Sequence, residues 1–116
     1  MKVLHHIVSR KVFCDIANGT MTQITIDVRP ANNRRFVQLD DLGFRKEDAE
    51  GNVIPVVYDA VHFSVGVGNK LGSMLVAVKC QYADMTEIEY TEKGQMWYQE
   101  QIVFVLGQIL ECETKP

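Results

Sequence analysis

Four charged side chains crowd the stretch 27–35 of this chain: Asp27, Arg29, Arg34 and Arg35. An arginine offers a planar fork of N–H donors that can grip a phosphate or a base edge with two bonds at once. Residues two apart on a strand share a face. Asp27 beside Arg29 therefore has two readings. One is a local ion pair on a solvated face, worth at most about 1 kcal/mol. The other sets Arg29 at the mouth of a binding hollow with Asp27 orienting it. Arg34 and Arg35 then extend the positive patch, joined by Lys11 and Arg10 from the start of an earlier helix.

Other chemistry-bearing residues carry weaker signals. The run Gly66-Val67-Gly68-Asn69-Lys70-Leu71-Gly72 invites comparison with a phosphate loop, but it lacks the GxxxxGK[ST] spacing and no helix pattern follows. A plain hairpin loop accounts for it. His5, His6 and His62 form no metal signature, and neighbouring histidines on a strand point to opposite faces, one in and one out. No metal and no cofactor is expected. Cys14 has no base near it in sequence and is expected to be a buried structural thiol. Trp97, Tyr98, Tyr82, Tyr90 and Phe63 could stack bases of a single strand, or could simply fill a core. Glu87, Glu89 and Glu92 would repel a phosphate backbone, so a nucleic-acid surface is expected elsewhere.

The elements that must position these residues are legible in outline. Residues 2–8 read as a strand, and Ser9 can cap a helix carrying Val12, Phe13, Ile16 and Ala17 on one stripe. Asn18-Gly19 suits the end of that helix. Residues 22–29 alternate strictly, with Ile24, Ile26 and Val28 on one face and Gln23, Thr25, Asp27 and Arg29 on the other. Pro30 ends the ladder. Residues 32–39 read as a short helix and 40–52 as an exposed charged loop. Strand-like runs follow at 53–57, 58–65, 74–82, 86–91 and 96–110. Gly107 marks a bulge or bend in the last of these. No internal repeat is evident. Many short strands with two or three short helices imply an α+β, mainly-β chain, a small mixed barrel.

The 116 residues fit one domain, taken as 1–112 with a short tail at 113–116. Twelve Lys and Arg against fifteen Asp and Glu give a formal charge of −3, which argues against a protein that coats nucleic acid by bulk charge. There is no long apolar run for a membrane span and no signal-peptide pattern. Three widely spaced cysteines without a CxxC pair fit reduced thiols in the cytoplasm.

Ile16-Ala17-Asn18-Gly19, then Asp27-Val28-Arg29 with Asn32, Asn33, Arg34 and Arg35, then Tyr58-Asp59-Ala60-Val61-His62-Phe63, then Met74-Leu75-Val76-Ala77-Val78 follow one another in an order that resembles the ASCH domain of the PUA-like β-barrel superfamily. The resemblance implies a small PUA-like barrel with a pocket at its mouth. It also sets a loop bearing Asn69 and Lys70 near that pocket. Some members of the family are similar to small amidohydrolases of acylated cytidine that use a lysine after the glycine. Here that position holds Met21 if aligned on Gly19, or Ile24 if aligned on Asp27 and Arg29, and the later acidic position holds Ala77. Neither a thioether nor an alkyl group can act as nucleophile or base.

The combined expectation is a non-catalytic nucleic-acid-binding module. RNA or a modified nucleotide is its partner, held at a basic cleft by Arg29, Asp27, Arg34, Arg35, Lys11, Asn69 and Lys70. Two alternatives stand beside it: a small nucleoside-directed amidohydrolase-like enzyme, and a protein-interaction domain built on the acidic balance and the charged segment 40–52.

Overall fold

Ser9 and Gly19 bracket the first helix, as their chemistry dictates. In the computed structural model, which describes residues 1–29, 32–66, 72–90 and 95–114, strand β1 (Val3–Val8) passes into helix α1 (Arg10–Ala17). The Ser9 hydroxyl accepts from the Val12 N–H at 3.3 Å. At the other end Gly19, at φ +81°, donates to the Ile16 carbonyl at 3.2 Å. Phe13 and Ile16 are buried. Cys14, expected inside, is exposed, as are Cys80 and Cys112. The reason is angular: a residue one step after Phe13 is turned about 100° away from the buried stripe.

Strand β2 (Gln23–Asp27), helix α2 (Asn33–Phe36), and strands β3 (Ala60–Val65), β4 (Gly72–Tyr90) and β5 (Gln95–Thr114) complete the chain. The class is the expected one, mainly β and α+β, with five strands and two short helices among the described residues. The five strands form one mixed sheet in the order β1-β3-β4-β5-β2. β1 runs parallel to β3, with His5 opposite His62 and His6 opposite Phe63. β3 runs antiparallel to β4. The strand runs expected at 74–82 and 86–91 are one continuous strand, β4. β5 runs through Gly107, where an added Cβ would meet the Ala77 carbonyl at 3.4 Å.

Contacts divide the chain into two compact units, and β4 and β5 contribute to each. The first contains residues 1–24, 58–80 and 104–116. Its core is Leu4, Phe13, Ile16, Val61, Phe63, Met74, Val76 and Phe104. The second contains residues 25–57 and 81–103, with Val28, Phe36, Val37, Ile102 and Val103 inside. Among the described residues no helix is long and apolar enough to cross a membrane.

The segment 40–52 departs most from expectation. It is exposed but not an open loop. Extended runs around 37–39, 45–47 and 53–55 meet in the antiparallel bridges Leu39–Arg45, Glu47–Val53 and Val37–Pro55. The second helix is cut short at Phe36 because Val37 already joins this ladder. Two turns connect the runs, Asp40-Asp41-Leu42-Gly43-Phe44 and Asp48-Ala49-Glu50-Gly51-Asn52, and they are copies of one design. In each the aspartate Oδ1 accepts from the N–H groups two and four residues on, at 2.9–3.0 Å. The glycine N–H donates back to the aspartate carbonyl, at 3.0 Å in the first and 3.1 Å in the second. This is a D-x-x-G repeat eight residues apart, contrary to the expectation of no internal repeat. Gly43 and Gly51 sit at φ +86° and +84° with no atom within 4 Å of an added Cβ. Replacing either by alanine therefore costs backbone energy alone, about 1–2 kcal/mol. Urea titrations will show that loss for alanine and a smaller one for asparagine, which tolerates the left-handed region; equal losses would mean the turn does not hold that conformation.

Candidate functional site

Asn32 ties down the chain after β2. Its Oδ1 accepts from the Arg29 N–H at 2.7 Å, and its Nδ2 donates to the Asp27 carbonyl at 3.1 Å. These two bonds tie the end of β2 to the residue that precedes α2, where Arg34 and Arg35 are exposed. Asn33 reaches the other way. Its Oδ1 accepts from Arg45 Nε at 3.1 Å and Nη2 at 2.8 Å. The same guanidinium grips Glu100 with two bonds, Nη1 to Oε1 at 2.6 Å and Nη2 to Oε2 at 2.5 Å. The Arg45 and Glu100 side chains are 33% and 24% exposed. Four of the five guanidinium N–H groups are thus engaged by the protein itself.

Arg45 and Glu100 stand in the wall of a pocket of about 390 Å³ within the second unit. Val28, Val53, Met85 and Ile102 supply apolar wall, and Glu47, Asp84, Asn52 and Gln101 supply polar groups. The volume is within the range of small-ligand sites. With one guanidinium against three carboxylates, Glu47, Asp84 and Glu100, the pocket is not basic. Because Arg45 is held by Glu100, an anion would have to displace that carboxylate. A ligand presenting N–H donors and an apolar face suits the wall better.

The sequence-predicted residues fall in several places. Asp27 and Arg29 pair at 3.7 Å with side chains 41% and 70% exposed, which is the solvated ion pair of the first reading. Asp27 also accepts from Gln101 Nε2 at 3.1 Å, which links it to the pocket wall. Arg29 follows Val28, a wall residue, and Arg34 follows Asn33, which lies outside the pocket lining and bonds Arg45. Arg34 also lines a shallow depression with Gln38, Asp40, Asp41 and Lys46. The Arg35 guanidinium carbon lies 5.4 Å from the Phe36 ring centroid. Lys11 belongs to the first unit and pairs with Asp15 on its own helix at 3.2 Å. Asn69 and Lys70 lie outside the described residues, as do Glu92 and the side chains of Glu87, Glu89, Tyr90, Trp97 and Tyr98. Tyr82 is exposed, while Phe63 is fully buried and so serves the core rather than a base-stacking surface.

Arg45, Asn33 and Glu100 are the residues that sequence reasoning misses. Arg45 is one of many charges in 40–52, and nothing local marks position 100 as its partner. Comparison with known proteins finds no family model, no curated protein and no solved structure that matches the chain.

Proposed function

We propose that this protein is a non-catalytic nucleic-acid-binding module, PUA-like and resembling the ASCH domain. It takes a base of single-stranded RNA, or a modified nucleotide, into the pocket of its second unit. Exposed Arg29, Arg34 and Arg35 act on the neighbouring phosphates. The observation that carries this reading is the asparagine clamp. Asn32 bonds the Asp27 carbonyl and the Arg29 N–H, and Asn33 bonds Arg45, so three arginines are displayed on the same short stretch that gives Val28 to the pocket wall and a partner to Arg45. Glu47, Asp84 and Gln101 can accept from, or donate to, the edge of a base, and Val53 and Met85 can cover its face. Glu100, locked by Arg45, serves as scaffold rather than as a proton carrier.

The test is fluorescence anisotropy of a labelled single-stranded oligoribonucleotide across a salt series. The wild type will bind, with affinity falling as salt rises. Changing Arg29 and Arg34 together to alanine will weaken binding about tenfold or more. It will also flatten the salt slope by about 1.4, because each phosphate contact to a single strand contributes about 0.7. The melting temperature will move little, since the Asp27–Arg29 pair is solvated. Equal affinity and equal slope in the double variant would overturn the proposal.

A further inference from the structure

The pairing of β1 with β3 sets His5 directly across from His62. Their Nδ1 atoms are 3.4 Å apart, and the ring centroids are 5.2 Å apart with the planes at 61°. At that separation one ring can donate to the other in a long hydrogen bond, the donor set by the tautomers. The separation also matches another geometry. Metal–nitrogen bonds of about 2.0–2.1 Å at a tetrahedral angle of about 109° set two ligating nitrogens roughly 3.3–3.4 Å apart. With each ring centre roughly 1.1 Å further out along the lone pair, the centroids then fall roughly 5.2 Å apart. Both observed distances agree with one bite.

We propose that His5 and His62 form a two-histidine chelate for a borderline-soft divalent cation, Zn²⁺ foremost. Imidazole suits Zn²⁺, and Zn²⁺ prefers the tetrahedral arrangement. His5 is exposed and His62 half-buried, so the site opens to solvent. Among the described residues no group of three or more His, Cys, Asp or Glu side chains is placed to hold a metal. Water therefore takes the remaining positions. The exposed residues Glu111 and Glu113 line the hollow beside His62 and supply negative charge near the cation. His6 points to the opposite face, 6.3 Å from the Phe63 ring, and takes no part. Bound metal would staple β1, the last strand on its side of the sheet, to β3. Because the two ligands come from positions 5 and 62, the unfolded chain presents no such bite, and metal binding adds to stability.

Calorimetric titration of Zn²⁺ into the full chain tests this, with the three exposed thiols first blocked by iodoacetamide so that they cannot compete. Saturable binding is expected. His5→Gln and His62→Gln will each weaken it about tenfold or more, and His6→Gln will leave it unchanged. Zn²⁺ will also raise the melting temperature of the wild type and not that of His5→Gln. As a readout free of substitution, Cu²⁺ added to the unmodified sequence, its thiols likewise blocked, will broaden the ring-proton resonances of His5 and His62 before those of His6. No saturable binding, wild-type affinity in either single variant, or selective broadening of His6 would overturn the proposal.

Discussion

Replacing Phe63 by alanine will destabilise the protein by about 3–5 kcal/mol, a large share of the roughly 5–15 kcal/mol that holds a small domain together. Phe63 has no exposed surface. It lies on β3, between β1 and β4, opposite His6 on one side and Met74 on the other. No loop can collapse into the space the ring leaves, because both flanking strands are held by their ladders. The loss therefore includes the transfer energy of the ring and the cavity it leaves. A thermal melt followed by circular dichroism will show a fall of roughly 10–30 °C, taking about 3–6 °C per kcal/mol for a chain of this size. Phe63→Leu, which keeps most of the volume, will lose about 1–1.5 kcal/mol. A loss below about 1 kcal/mol for the alanine variant would mean that the ring is not packed as described.

Arg45→Ala is the second large effect, at about 2–3 kcal/mol. It strips Glu100 of both its guanidinium bonds and Asn33 Oδ1 of both its donors in one step. Because the pair is a quarter to a third exposed, water recovers part of that cost, and the loss stays below the 3–5 kcal/mol of a fully buried pair. Arg45→Lys will rescue little, since an ammonium group cannot bond a carboxylate and an amide oxygen in one plane. A double-mutant cycle with Glu100→Gln will give a coupling energy of about 1–2 kcal/mol in urea denaturation. The same cycle on Asp27 and Arg29 will give about 0.5 kcal/mol or less, because that pair is wider and solvated. Equal coupling in the two cycles would contradict the difference in burial. The contrast also matters for the binding experiment: Arg29 can be removed with little effect on folding, whereas Arg45 cannot.

Local stereochemistry carried far in this chain. The alternation of residues 23–28 places Ile24 and Val28 inside and Gln23 and Thr25 outside, as a period of two requires. Ser9 and Gly19 close their helix through bonds reaching no more than three residues. The mainly-β class followed from the density of short apolar runs and turns. Each of these depends on atoms within a few positions of one another, so residue type and spacing suffice to read them.

Long-range pairing lay beyond that reach. Cys14 is placed by which side of α1 meets the sheet, not by its own preference for burial. The charged segment 40–52 became ordered because its extended runs find partners at 37–39 and 53–55, and a ladder is stable only when both edges are present. The solvated Asp27–Arg29 pair was visible because two positions separate it. Arg45 meets Glu100 across 55 positions, and His5 meets His62 across 57. Which charges and which imidazoles come together is set by strand order and register. Those depend on how the whole chain buries its apolar residues, and the local sequence around position 45 or position 5 carries no trace of the outcome.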